Sequence, residues 1–291
     1  MLHLDNPRNR RIGIALVTLT TLLFATLDAS AKWLVLGLPA LQVVWLRFLT
    51  HVVITSALLA PSYGWELVRV RNWKLQSLRA AMLGTMTACN FVALQYLQLA
   101  ETGAMQFSVP LLIALLSAWW LGERLDARRW IAIAVGFGGV LLVIRPGSQA
   151  FHPAILLSAL NAVLYAVFNM LTRRLAATES PAALQLMSAL GATVLLTPFG
   201  LSQWQWPANW QTWAVIAATG LCGGLGHFLV AQAHRYASAA VLGPFLYQQI
   251  VYMTLFGWLF FDQVPGVMVV AGAAVVVASG LYLLWLEMKR R

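Results

Sequence analysis

Two charged residues stand inside otherwise apolar stretches: Asp28, within FATLDASAKWL at 24–34, and Arg47, within VVWLRF at 43–48. A charge at the centre of a bilayer costs roughly 3 kcal/mol or more, so each must face protein or a wet cavity, and both are candidates for contact with a ligand or a coupling ion. Asp28 and Lys32 are four apart on one helical face, so an ion pair at the end of the first helix is the plain alternative. Arg47 follows Pro39 by eight residues. That is about 12 Å along a helix, too deep for its head to reach the interface. A structural pair with Asp28 competes with ligand contact as its role.

Further along, Tyr247, Gln248, Gln249 and Tyr252 combine aromatic faces with amide groups, a set suited to a planar or zwitterionic organic solute. Helix packing explains them equally well. His51, Asn90, Gln95, Asn161, Asn169 and Gln185 read as hydrogen-bond partners between helices. His227 is a modest candidate for a proton relay, whereas His234, beside Arg235, reads as solvated. Gly220 and Gly224 are spaced for close helix approach, a packing signal that says little about a ligand. Cys89 and Cys222 lie in apolar runs and read as small buried hydrophobes, without metal-ligand spacing.

The elements that must position these residues follow from hydropathy. The chain has 291 residues, 60% hydrophobic and only 10% charged, against about 25% charged in soluble domains. A soluble fold is thereby excluded. Apolar runs broken by charge, Pro or Gly predict ten transmembrane helices near 12–34, 39–60, 76–97, 102–121, 130–145, 153–173, 181–201, 212–234, 238–260 and 265–286. The run from Ile12 to Asp28 has no small-residue cleavage site and reads as a retained first helix.

Of the 19 Lys and Arg residues, all but Lys32, Arg47 and Arg145 fall on one side of such a ten-span arrangement. Positive charge flanks the cytoplasmic ends of spans, so both termini are expected in the cytoplasm. The same distribution accounts for the net charge of +10 without invoking nucleic acid. Four tryptophans, Trp204, Trp206, Trp210 and Trp213, mark an uncharged loop expected to lie along the opposite headgroup layer.

An internal repeat sets the architecture. Sliding the chain by 141 residues places Leu23 on Leu164, Phe24 on Tyr165, Ala25 on Ala166, Asp28 on Asn169, Lys32 on Arg173 and Leu34 on Leu175. At 140, Ala93 meets Ala233 and Tyr96 meets Tyr236; at 139, Trp119 meets Trp258 and Glu123 meets Asp262. Five spans per repeat is an odd number, so equivalent helices enter from opposite faces. The expected fold is all-α integral membrane, with ten transmembrane helices as two inverted five-helix repeats over 12–145 and 153–286. A ligand site is expected between the halves near the midplane, served by alternating access as one half rocks against the other. HExxH, GxSxG and Walker motifs are all missing, which argues against an enzyme and against an ATP-driven pump.

The chain resembles the EamA family of the drug/metabolite transporter superfamily over about residues 12–286. The resemblance is carried by the two segments above together with LAETGAMQFSVPLLIALLSAWWLGERL at 99–125, GFGGVLLVIRPG at 136–147, LYAVFNMLTRRLAATESP at 164–181, AHRYASAAVLGPFLYQQIVYMTLFGWLFFDQVP at 233–265 and GLYLL at 280–284. The DxxxK and LRF pattern is similar to the branch that includes S-adenosylmethionine and riboflavin uptake permeases. The resemblance implies a permease of a small organic metabolite, or an exporter of the same family, in a bacterial inner membrane. A membrane enzyme or a non-transporting scaffold is the other class.

Asp28, Arg47, Glu101, Tyr247, Gln248 and Tyr252 are the residues expected to bind substrate or couple an ion. Lys32, Glu123 and Asp262 are expected as charge partners or caps, with Glu123 anchoring the inner end of the fourth helix and Asp262 replacing the family's usual Glu. Glu101, in the LAE motif, is expected to meet Lys32 or a cationic group of the cargo. The expected partners are the solute and membrane lipids. No cofactor, metal or nucleic acid is expected, and proton coupling and a homodimer stay open.

Overall fold

The computed structural model describes residues 6–121, 125–176 and 178–290, and every regular element among them is helical. α1 (Pro7–Val35) begins where the Asn6 side chain accepts a hydrogen bond from the Asn9 backbone N–H. Pro7 occupies the first turn, where a missing N–H has no helical partner to lose. Then follow α2 (Ala40–Tyr63), α3 (Trp73–Tyr96), α4 (Leu99–Gln106), α5 (Val109–Leu121), α6 (Ala127–Ile144) and α7 (Ile155–Leu175). α8 (Pro181–Ser202), α9 (Trp210–Tyr236), α10 (Ala239–Leu246), α11 (Gln248–Phe261) and α12 (Val267–Arg290) complete the chain.

These helices make ten crossings, because α4 with α5 and α10 with α11 are each one broken span. Among the described residues, eight stretches are long and apolar enough to cross a membrane on length and composition alone. The remaining two are α3, which carries Lys74, Arg79, Asn90 and Gln95, and the broken pair α10 and α11. Large apolar side chains such as Val53, Leu58, Val135, Val194, Val251 and Val270 cover the outer surface, where hydrocarbon rather than water is the solvent.

The fourth and ninth spans were expected as continuous helices over 102–121 and 238–260; both are interrupted instead, at Phe107–Ser108 and at Tyr247. A proline lies close to each joint, Pro110 after the first and Pro244 before the second. Proline donates no backbone hydrogen bond and crowds the carbonyl four residues earlier, which for Pro110 is that of Gln106 at the first joint. The two interruptions are 140 residues apart, the offset that aligns the repeats. They also meet: the Phe107 and Tyr247 rings lie 5.0 Å apart.

Helix pairing follows a twofold pattern. α1 packs on α9 as α7 packs on α3, and α2 packs on α9 as α8 packs on α3. α2 with α8 and α6 with α12 are the self-related pairs. α6 and α12 approach at glycine: a Cβ on Gly139 would lie 2.8 Å from the Gly272 carbonyl oxygen, and one on Gly272 would lie 2.6 Å from that of Gly139. Absence of side chains at both positions lets the backbones touch, the usual means of helix association where water cannot drive it. Each half therefore packs mainly on the other, so the halves are interdigitated rather than two blocks side by side.

Candidate functional site

Asp28 projects from α1 between two amide side chains. Asn90 Nδ2 on α3 donates to Oδ1 at 3.1 Å, and Gln249 Nε2 on α11 donates to Oδ2 at 3.4 Å. One donor comes from each half of the sequence. Ala25, Ala29 and Ala31 on α1 are buried, and their small side chains let neighbouring helices close around the carboxylate. A carboxylate offers about four acceptor positions. Two neutral donors therefore leave capacity for a further partner.

Arg47 and His51 lie one turn apart on α2 and are 4% and 1% exposed. Arg47 Nε and Nη1 and both ring nitrogens of His51 have no hydrogen-bond partner. The guanidinium carbon sits 4.2 Å from the centre of the Phe48 ring, a cation–π contact that covers one face and leaves the donor edge empty. α9 makes the room: a Cβ on Gly223 would lie 2.8 Å from Arg47 Nη2, and one on Gly224 would lie 3.6 Å from the His51 ring. The glycine stretch thus does more than let helices approach, since it reserves the space that Arg47 occupies.

Asp28 and Arg47 are close enough to attract each other electrostatically, yet the hydrogen bonds of Asp28 go to Asn90 and Gln249. Between the two expected roles of Arg47, direct pairing is not the one formed. Asp28 lies seven residues before the end of α1, and Arg47 seven residues after the start of α2. Both are about 10 Å in from the face that carries the α1–α2 turn, nearer to it than the expected midplane. Asp28, Tyr165 and His227 are each half-buried and keep some accessible surface. Gln248 Nε2 donates to Thr18 Oγ1 at 3.3 Å and Tyr252 Oη donates to Gln248 Oε1 at 3.3 Å, which aligns this α11 face with α1. His227 packs edge-on to Phe24 at 5.0 Å.

The other expected residues lie elsewhere. Lys32 is buried but does not pair with Asp28; Nζ donates to the carbonyls of Leu94 at 2.8 Å and Leu97 at 2.6 Å, at the end of α3. Terminal carbonyls of a helix lack internal donors and favour a cation, so α3 outcompetes the carboxylate one turn away. Glu101 accepts from the Gln98 backbone N–H at 2.9 Å in a capping box at the start of α4 and pairs with Arg145 at 3.2 Å. Its partner is thus Arg145 rather than Lys32. Tyr247 is buried at the break beside Phe107, and Asp262 holds the left-handed C-cap of α11 at φ 53°. Glu123 lies outside the described residues.

By sequence position Arg79 is one of the basic residues at the cytoplasmic ends of the spans. It is instead buried, donating to Thr172 Oγ1 at 2.8 Å, to the Leu184 carbonyl at 2.7 Å and to Ser188 Oγ, with its guanidinium over Phe168. Its position six residues into α3 was the available signal. A groove of about 730 Å³ runs between α11 and α12 and is lined by groups such as Val251, Leu255, Trp258 and Val270. Facing the membrane and almost wholly apolar, it offers nothing to orient a polar solute. Among the described residues no cluster of His, Cys, Asp or Glu could hold a metal ion.

The sequence profile of the EamA-like transporter family matches residues 11–145 and again 152–286. The chain is 24% identical over 289 residues to an S-adenosylmethionine uptake transporter of Rickettsia bellii, covering 98% of this chain and 97% of that protein. It is 27% identical to a riboflavin transporter of Vibrio cholerae, covering 92% and 91%, and 26% identical to a pseudopaline exporter of Pseudomonas aeruginosa, covering 92% and 94%. A solved crystal structure, 21% identical, shares the fold with a TM-score of 0.65 over 99% of this chain and 100% of the other.

Proposed function

The chain belongs to the EamA-like transporter family, and from that premise we propose that it is a secondary-active permease carrying a small organic metabolite by alternating access through the space beside Asp28, Arg47, Gln248 and Tyr252. It is an integral membrane transporter rather than an enzyme, and its relatives are named for small-metabolite cargo. We place it in a bacterial cytoplasmic membrane with both termini inside, on the strength of the skewed basic residues. The observation that carries the reading is the pair of opposite charges inside the helix bundle, half-buried Asp28 and buried Arg47, surrounded by α1, α2, α3, α9 and α11 from both halves of the sequence.

The packing also suggests which parts move. α1, α2, α3, α7, α8 and α9 form one interleaved group, and α4, α6, α10, α11 and α12 contact one another as a second. Rocking between these groups would preserve the closest pairs at the expense of the packing of α1 on α10 and α11 and of α5 on α7, whereas rocking the sequence halves as blocks would break nearly all of the closest pairs. The Asp28–Gln249 hydrogen bond crosses between the groups, and the Asp28–Asn90 bond stays within the first.

The test is flux into proteoliposomes with S-adenosylmethionine, riboflavin and amino acids as solutes. Flux that is lost in Arg47→Ala while the variant inserts normally supports the site. Undiminished flux in that variant rejects it, and failure of the protein to accumulate assigns Arg47 to folding. Export is the second reading, favoured by the likeness to the pseudopaline exporter; comparing right-side-out with inverted vesicles separates the two directions.

A further inference from the structure

Opposite charges that share a low-dielectric space normally close on each other, because each was costly to remove from water. Here they are held apart. Asn90 and Gln249 take Asp28 from two sides, while Phe48 and the bare backbone of Gly223 seat Arg47. The result is a carboxylate with spare acceptor capacity near a guanidinium whose Nε and Nη1 have no acceptor, with the unpartnered imidazole of His51 one turn further along α2.

Buried donors left without acceptors are rare in native proteins, since each forfeits its solvation for nothing. Arg47 and His51 are 4% and 1% exposed, and they offer donors only to whatever enters between α1, α2 and α9. Each free guanidinium N–H can donate a charge-assisted hydrogen bond to a carboxylate oxygen, and an imidazole supplies one more N–H. One fixed positive charge suits a monoanion; a dianion would meet Arg47 alone and be repelled by Asp28. A guest of zero net charge, with its own two charges separated, keeps the pocket balanced.

We propose that Arg47 and His51 form a subsite for the carboxylate of the cargo and that Asp28 receives its protonated amine, so that the transported solute is an organic zwitterion. This deepens the permease reading and rests on it. Gln248, next to the Gln249 that holds Asp28, and Tyr252, which donates to Gln248, would meet the uncharged part of the solute.

The experiment is a thermal-unfolding series on the purified full-length protein in chloride-free detergent buffer, because a ligand of the native state raises its melting temperature. The probes are the twenty L-amino acids and S-adenosylmethionine, each amino acid paired with its methyl ester, which removes the carboxylate charge, and its N-acetyl derivative, which removes the ammonium. At least one zwitterion is expected to stabilise the protein. Its ester should need about a tenfold to hundredfold higher concentration for the same shift, the loss typical of a hydrogen bond to a charged group.

In Arg47→Lys the preference for the acid over the ester should be weakened but retained, and in Arg47→Gln it should vanish. Because Arg47→Gln can fail to fold, His51→Asn serves as the second variant, with an expected smaller loss of the same preference. Asp28→Asn should lose discrimination against the N-acetyl form. An ester that binds as tightly as the acid, a panel without any stabilising zwitterion, or a shift reproduced in full by sodium chloride would each overturn the assignment. Counterflow of the stabilising zwitterion in liposomes then tests the permease reading apart from it: binding without flux removes the transporter and leaves the subsite standing.

Discussion

Replacing Gly223 with alanine tests the placement of Arg47 without removing any charge. The added Cβ would lie 2.8 Å from Arg47 Nη2, 3.3 Å from Cζ and 3.2 Å from Leu27 Cδ1, whereas ordinary contact begins at 3.4 Å. The guanidinium must therefore withdraw by about 0.6 Å in a close-packed setting. An error of about 1 Å in a positioned group can cost a hundredfold in rate, so transport efficiency is expected to fall by roughly tenfold.

Stability should change little, because the displaced atom ends a flexible side chain and alanine gains about 1 kcal/mol of helix propensity over glycine. Gly220→Ala is the contrast. Its Cβ would lie 2.7 Å from the His51 backbone nitrogen and 2.7 Å from Thr50 Cβ, a clash with the helix itself that costs about 1–3 kcal/mol. Gly138→Ala, with nothing within 4 Å, is the silent control. The assays are initial flux in proteoliposomes and thermal unfolding of the same preparations. A Gly223→Ala protein that transports at the parental rate, or that loses activity only in proportion to stability as Gly220→Ala does, would refute the reasoning.

Asp28→Asn keeps the size of the side chain and removes the titratable group, at the cost of turning one acceptor that faces Asn90 or Gln249 into a donor; if a proton rides on Asp28, parental flux varies with pH and that of the variant does not, and an unchanged profile removes Asp28 as the carrier. Lys32→Met strips the donor from the carbonyls of Leu94 and Leu97 and should cost about 2 kcal/mol, seen as a lower melting temperature with the solute KM unaltered. Arg79→Ala abandons acceptors on Thr172, Leu184 and Ser188 and should cost at least about 3 kcal/mol, seen as loss of folded protein in the membrane fraction.

The ten crossings were legible because hydrocarbon imposes a uniform length and composition on whatever spans it, and the repeat was legible because six aligned pairs near Asp28 share one offset. Asp28 and Arg47 were legible for the same reason: charge in an apolar run is costly enough to need a cause. What was hidden is tertiary. Spacing joins Lys32 to Asp28, but the carbonyls that hold it belong to Leu94 and Leu97, more than sixty residues away. Arg79 resembles any cytoplasmic flanking charge until Thr172 and Ser188 are brought beside it. Prolines in membrane helices often leave the helix continuous, so Pro110 and Pro244 did not announce breaks; the meeting of Phe107 with Tyr247 did. The glycine spacing on α9 was visible, but the side chain it accommodates was not.

The interleaving of the two halves also dictates an order of events at birth. Asp28 finds Asn90 62 residues later in the chain and Gln249 221 residues later. At ordinary synthesis rates of about 5–20 residues per second the second amide arrives on the order of ten to forty seconds after the carboxylate. Through that interval α1 waits in or beside the insertion machinery without α9, its principal neighbour. Lys32 is relieved early, since the carbonyls of Leu94 and Leu97 arrive with α3, while Arg47 waits until Gly223 has been made. A ribosome pausing between α3 and α9 would thus expose a half-built bundle with charges still unsheltered, and membrane quality control has its clearest target there.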